Sequence, residues 1–376
     1  MEEKILRLIP KRKKGFLKII FSRFLIVGLL IMLQVFLILA IYAWFAEFIP
    51  YFAIFQTVFS IVMVIYLFNC EMDSTSKLTW LFMITIFPIF GSILLWYTKK
   101  DIGNYALKKR IHFLVKSTRK KIPQVMDVIN NPEIKNSCTD DLCRYLNMSG
   151  CFPLYANTDV TYFRSGEEKF SALLEELNKA ERFIFMEYFI LDEGYMWGKI
   201  LGILEEKAKQ GVDVRVMYDG FCEMSTLSFD YPERVGKLGI KCKAFSPIRP
   251  FLSTHYNYRD HRKICVIDGK TAFNGGINLA DEYINMTERF GYWKDTAVML
   301  KGKAVHSFTL MFLQMWNITE KSPEWDKFIK DDCEKHDYQG FVMPYADCPL
   351  DEYKVGENVY MDILNRATNY VHIMTP

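Results

Sequence analysis

Three long apolar runs crowd into the first hundred residues, and they constrain the fold more than anything that follows. Phe24 to Ala46 is 23 residues with Gln34 as its one clear polar interruption, long enough for a bilayer core of roughly 30 Å. Phe48 to Phe68 is a second candidate span, set off from the first by Glu47. Leu78 to Tyr97 is a third, interrupted by Pro88 and Gly91, both of which membrane helices tolerate. The first run is too long for the apolar part of a secretory signal, and no convincing small-residue cleavage site follows it. Because backbone groups in lipid must be satisfied within their own segment, residues 24–97 are expected as a membrane region of two or three transmembrane helices.

The flanks of this region argue with one another. Residues 1–23 carry Lys4, Arg7, Lys11, Arg12, Lys13, Lys14, Lys18 and Arg23, a basic tail of cytoplasmic type suited to anionic lipid. Lys99, Lys100, Lys108, Lys109 and Arg110 follow the last run with positive charge of their own. Three full spans would separate the two flanks. Either the first two runs form a hairpin beside an odd helix that does not fully cross, or one flank is translocated against the charge rule. A catalytic part on the cytoplasmic face is expected. The net charge of +3 gives little support to nucleic-acid binding. Nine cysteines without a C-x-x-C pair argue against a zinc site or a disulfide framework and read as buried thiols.

Residues 98–155 are a polar connector expected to pack on the next domain. Beyond them the pattern turns to α/β. Phe170, Leu173, Leu174, Leu177 and Ala180 have helical spacing, Phe183 to Leu191 reads as a strand, Ile200 to Ala208 as a helix and Val212 to Tyr218 as an alternating strand. Ile240 to Phe245 adds a strand and Ala304 to Trp316 a helix. A β-α-β order implies a largely parallel sheet with helices packed on it.

The chemistry concentrates between His261 and Asn278. Ile264 to Ile267, closed by Asp268-Gly269, is a strand entering a tight turn, with Thr271 to Asn274 as the return strand. Residues two apart on a strand share a face, so His261 and Lys263 point the same way. An imidazole beside a fixed ammonium, with the Gly275-Gly276 backbone near and Asn278 as a neutral donor, suits a phosphate diester. The imidazole can attack phosphorus or protonate a leaving oxygen, and no metal or other cofactor is required. The plain alternative is a surface hairpin that happens to carry His and Lys. Asp268 lies in the turn and reads as bracing the loop. Glu187 breaks an apolar run and either reaches the cleft or forms a structural ion pair.

The full spacing, His-x-Lys, four residues, Asp, six residues, Gly-Gly-x-Asn, resembles the phospholipase D superfamily motif. Asn257-Tyr-Arg-Asp-His-Arg-Lys263, Gly-Gly-Ile-Asn-Leu-Ala-Asp-Glu-Tyr283 and Trp293-Lys-Asp-Thr296 are similar to the cardiolipin synthase branch, as are Lys77-Leu-Thr-Trp80 and Pro88-Ile-Phe-Gly91 in the membrane region. The resemblance implies a phosphatidyltransferase of the bacterial cytoplasmic membrane, acting on phosphatidylglycerol and other anionic phospholipids through a phosphohistidine. It makes His261, Lys263, Asp268, Asn278 and Asp295 the catalytic set, with Gly275, Gly276 and Glu187 as substrate contacts. Asp295, 34 residues after His261, stands where related enzymes orient the catalytic imidazole, the alternative being a strand-start aspartate that bonds backbone. Asp219 and Glu282 match family positions without a role that chemistry suggests. Water as acceptor, giving a phospholipase D-type hydrolase, and a non-catalytic lipid-binding half-enzyme are the rival functions.

Leu177-Asn-Lys-Ala180-Glu-Arg-Phe183 is echoed by Leu364-Asn-Arg-Ala367-Thr-Asn-Tyr370, a helix end followed by a strand start in each case. The expected architecture is therefore amino-terminal membrane helices, one α/β lobe of phospholipase D type over residues 156–340, and the first elements of a second lobe over 341–376. Residues 1–376 hold a single His-x-Lys, so a second lobe is expected in a full-length form and little activity without it.

Overall fold

The computed structural model describes residues 5–8, 23–44, 49–70, 72, 74–100, 105–137, 139–247, 259–329, 340–348 and 353–374. Expectations for most of the basic tail, for Asn257, and for residues 349–352 and 375–376 of the expected second lobe fall outside these residues. Two compact units make up the chain: Lys13–Tyr105 with Arg249–His255, and Met1–Arg12 with Ala106–Ile248 and Tyr256–Pro376.

The first unit is helical: α1 (Arg23–Trp44), α2 (Ile49–Phe68), α3 (Ser74–Ile86) and α4 (Pro88–Lys100). Large apolar side chains on α1 and α2, such as Phe36 and Ile54, are exposed, and helices apolar all round have no polar face to offer water. Among the described residues one helix, Pro50–Phe68, is long and apolar enough to cross a membrane, and Ile31–Ala40 is a shorter apolar stretch. The third run does not form the single span expected at Leu78–Tyr97. Pro88 has no N–H to donate to residue 84 and its ring crowds that carbonyl, so the run breaks into two helices of 13 residues. Each is about 20 Å long, short of a bilayer core. The two fold back on one another. A Cβ on Gly91 would lie 2.7 Å from the Met83 carbonyl oxygen, and Ile84 and Leu95 join Leu67 of α2 in a buried cluster.

The second unit opens with α5 (Tyr105–Thr118), α6 (Met126–Ile129), α7 (Pro132–Asn136) and α8 (Asp140–Gly150), so the polar connector is helical. There follow β1 (Tyr155–Ala156), β2 (Thr158–Phe163), α9 (Gly166–Asn178), β3 (Phe183–Tyr188), α10 (Tyr195–Lys209), β4 (Asp213–Asp219), α11 (Cys222–Ser225), α12 (Tyr231–Gly236), β5 (Lys241–Phe245), β6 (Lys263–Ile267) and β7 (Thr271–Gly275). A 3-10 turn (Asp281–Ile284), β8 (Ala297–Gly302), α13 (Val305–Trp316), β9 (Phe341–Val342) and α14 (Val355–Arg366) complete it.

Seven strands form one mixed sheet in the order β2-β8-β7-β6-β3-β4-β5. Here the expectation of a largely parallel sheet is corrected: β3, β4 and β5 are parallel, while β2, β8, β7, β6 and β3 pair antiparallel. The β-α-β pattern holds only where helices α10 and α12 supply crossovers; after β5 the chain returns by hairpins, which need no helix. Alternate residues of each strand feed two cores. Ile184, Met186 and Tyr188 of β3 pack with α9 and α10 on one face, and Phe183 and Phe185 pack with α13 on the other. α13, apolar apart from His306, Ser307, Thr309 and Gln314, is buried nearly all round. Leu114, Leu146 and Phe152 of the connector and Val355 and Val359 of α14 complete that second core.

At the amino terminus, Leu6 N donates to Gly198 O (3.1 Å), Leu8 N donates to Glu193 Oε1 (3.0 Å), and both leucines pack against the α10 side of the core. The described part of the tail thus lies on protein. Residues 370–374, expected as a strand, are exposed and pair with no strand among the described residues.

Candidate active site

The hairpin β6–β7 forms as its turn residues require. Asp268 and Gly269 take positive φ (56° and 73°) and Lys270 N donates to Ile267 O at 3.0 Å; Ile267 pairs with Thr271, so Asp268 to Lys270 make the turn. Asp268 Oδ1 and Oδ2 accept backbone N–H groups from Glu181 (2.8 Å), Arg182 (2.7 Å) and Phe183 (2.8 Å). It sits at the end of β6 remote from His261 and ties the hairpin to the start of β3.

At the other end the entry to β6 is anchored by Asp219, the last residue of β4. Its Oδ2 accepts Asp260 N (2.8 Å), and its Oδ1 accepts Phe221 N (2.8 Å) and Arg259 Nη1 (3.2 Å). His261 follows directly and is exposed. Its ring lies 4.7 Å from the Phe189 ring, and Lys263 Nζ lies 5.3 Å from the same ring, so the two side chains converge. Lys263 is buried and donates to the His261 carbonyl oxygen at 2.6 Å. Partial burial and the Lys263 charge both lower the imidazole pKa, against a weaker opposing pull from Asp260. Burial pushes the Lys263 pKa down to about 8, partly offset by Asp260 and Asp295.

Neither glycine has room for a side chain. Gly275 has φ +153°, and a Cβ there would lie 2.5 Å from Thr296 O. A Cβ on Gly276 would collide with the carboxylate of Asp295. Asp295 Oδ1 accepts the N–H of Thr296 at 2.8 Å, and among the described residues no hydrogen bond joins Asp295 to His261. Its charge acts on Lys263 and on Lys169. Asn278 is buried with Oδ1 accepting Ile190 N (3.0 Å) and Nδ2 donating to Tyr283 Oη (2.8 Å). In this arrangement its amide braces the wall of the cleft.

Glu187 is not brought to this group. Tyr188 is the register partner of Lys263 and Glu187 that of Ile264, so Glu187 faces the opposite side of the sheet. There it is fully buried, 3.8 Å from Arg262 Nη1, and burial together with Asp260 pushes its pKa well up. The expectation of a cleft contact is corrected by the strand's alternation. Glu282 pairs with Arg289 at 3.0 Å on the surface.

Residues 173–316 match the family described as "Cardiolipin synthase, PLD-like domain". That stretch takes in β3 to β8 with His261, Lys263, Asn278 and Asp295. The chain is 31% identical over 320 residues to a cardiolipin synthase of Geobacillus, covering 84% of this chain and 64% of that one. Residues 173–316 thus carry a PLD-like domain of the cardiolipin synthase type. A protein of Streptococcus mutans is 56% identical over 313 residues, covering 83% of this chain and 68% of its own length. Among solved structures, the phospholipase D family member Nuc of Salmonella typhimurium aligns with 43% of this chain and 93% of its own at 20% identity and a TM-score of 0.33. The chain therefore spans 64% of the length of the Geobacillus relative in this family.

Three residues beside His261 and Lys263 carry no motif in the sequence: Phe189, Tyr188 and Lys169. Lys169 is buried in the first turn of α9, and its Nζ donates to Tyr188 Oη at 3.2 Å. A signal existed: Lys169, Leu173 and Leu177 are spaced by four, which puts a lysine on the apolar stripe of the helix.

Proposed function

We propose that this lobe contributes the first half of the catalytic centre of a membrane phosphatidyltransferase, which joins two phosphatidylglycerol molecules into cardiolipin and glycerol through a phosphohistidine at His261. The observation that carries the reading is an exposed His261 whose ring converges on Phe189 together with the buried Lys263 ammonium, in surroundings that lower the imidazole pKa. A neutral imidazole nitrogen attacks phosphorus, and the Lys263 charge stabilises the non-bridging oxygens. The phosphorus–oxygen bond to glycerol breaks, and the departing oxygen takes a proton from a second acid. In residues 1–376 no second His-x-Lys is present to supply it. The hydroxyl of another phosphatidylglycerol then gives its proton to that group and displaces the histidine as the phosphorus–nitrogen bond breaks.

A cytoplasmic, two-span topology belongs to the same proposal. Leu6 and Leu8 pack on the lobe, so an even number of crossings separates residue 8 from residue 105. Two crossings by α1 and α2, with the α3–α4 hairpin not crossing, meet that parity. They also put both basic flanks on one side, as the charge rule favours.

The test compares the chain alone with the chain fused to the part of the Geobacillus relative that it does not span, given labelled phosphatidylglycerol in detergent–lipid micelles. The fusion is expected to make cardiolipin and to carry acid-labile label on the His261 peptide, both lost in His261→Ala. Phosphatidic acid as the sole product would make it a hydrolase. Label on the second lobe's histidine would make His261 the general acid, and bound lipid without product would leave a non-catalytic half-enzyme.

A further inference from the structure

An ammonium taken out of water is strongly disfavoured unless charge or hydrogen bonds replace its hydration. Lys169 is 2% exposed. Its Nζ has Tyr188 Oη as acceptor at 3.2 Å and lies 5.1 Å from the centre of the Tyr188 ring. Among the described residues no carboxylate stands within ion-pair distance of it, whereas Lys179 at the far end of the same helix holds Glu175 and Glu176. Nothing in the packing of α9 explains a lysine there, since an apolar residue of similar length would continue the stripe of Leu173 and Leu177.

The position of Lys169 relative to the site supplies a reason. Tyr188 is the register partner of Lys263, so Lys169, Tyr188 and Lys263 share one face of the sheet. Burial pulls the pKa of each lysine down to about 8, and the Asp295 carboxylate works against it, favouring both charged forms. On that face Lys263 and Asp295 cancel in formal charge, and the lowered pKa of His261 disfavours a charge on the imidazole. At the entry to β6, Arg259 pairs with Asp219 and Arg262 with Glu187, while Asp260 accepts only the Arg262 backbone N–H, so these groups add no net positive charge. Without Lys169 the surroundings of His261 would carry no net charge to attract an anion.

We propose that Lys169 is a positioning residue of the phosphate site: its buried charge makes the Lys263–Asp295 pair net positive and holds Asp295 in place, acting through Asp295 and Tyr188 without touching lipid. This rests on the reading of the site as one for a phosphate diester. An ammonium behind the contact layer strengthens anion binding in a low-dielectric setting, and water does not screen it.

The test uses the full chain in detergent with tungstate as the probe, and reads carbethoxylation of His261 by diethyl pyrocarbonate on its peptide by mass spectrometry. Tungstate is expected to slow modification of the unaltered protein. Lys169→Met should weaken that protection about tenfold, while Lys169→Arg keeps most of it. The melting temperature of Lys169→Met should hold or rise, because a desolvated charge has gone; a lysine that served packing alone would lower it and leave protection unchanged. Should the single variant fold poorly through the orphaned Tyr188 hydroxyl, Lys169→Met with Tyr188→Phe removes both polar groups together. Unaltered tungstate affinity in a folded variant of either kind overturns the inference alone. Absence of protection in the unaltered protein takes down the phosphate-site reading, and the inference with it.

Discussion

The nucleophilic role proposed for His261 needs a neutral imidazole, and burial and Lys263 both lower its pKa from 6.5. Activity of the completed enzyme should therefore fall as pH drops through a value below 6.5, later than for a free imidazole. Lys263 must be charged, and its pKa stands at about 8 under the opposing influence of burial and of Asp260 and Asp295. The alkaline limb should then fall near pH 8, far below that of an ordinary lysine. A pH profile of phosphohistidine formation checks both limbs, and a flat profile from pH 7 to 10 would remove Lys263 from the mechanism. Lys263→Met should cost about 2–4 kcal/mol of transition-state stabilisation, read from kcat/KM. Asp268→Ala belongs to stability instead. It leaves three backbone N–H groups at the start of β3 without their acceptor and should destabilise the lobe by about 2–4 kcal/mol in urea melts. Any loss of turnover in that variant should track the unfolded fraction.

The α3–α4 hairpin carries the topology. Pro88 interrupts the helix and Gly91 permits the close return, so 27 residues from Ser74 to Lys100 double back in place of one long span. With native cysteines replaced, Arg7→Cys and Thr98→Cys should react with a membrane-impermeant maleimide from the same side, in inverted vesicles, and Pro50→Cys from the other. Labelling of positions 7 and 98 from opposite sides would restore three crossings and withdraw the two-span topology. The hairpin β6–β7 shows the converse case, an element set by its turn residues. Asp268 and Gly269 adopt positive φ, and Lys270 completes the turn before Thr271 pairs with Ile267.

With three apolar runs in its first hundred residues, the molecule should stay with membranes through alkaline carbonate extraction; recovery in the supernatant would sink the membrane reading. The other end of the chain carries its own liability. Tyr360, Met361 and Ile363 of α14 are exposed, as are Tyr370, Ile373 and Met374 beyond it. Residues 1–376 by themselves should form no cardiolipin above background and should aggregate as detergent is diluted. Turnover rising with the square of protein concentration would show that two copies complete the site, and the need for a second lobe would be withdrawn.

Local chemistry was legible in the text: the turn at Asp268-Gly269, the bracing by Asp268, the shared face of His261 and Lys263, and the helices and strands from Phe170 to Trp316. Each depends on residues within a few positions of one another, where backbone preference and side-chain period decide the outcome. The mixed sheet, the far face taken by Glu187, the backbone partners of Asn278 and the burial of Lys169 were decided by tertiary structure. Each depends on which distant strand or helix lies alongside. Pairing β6 antiparallel to β3 sets Lys263 opposite Tyr188, and therefore sends Glu187 to the other core and brings α9 with Lys169 over the site. Period-2 alternation says that two residues differ in face, but only the neighbouring strand says which face holds the chemistry.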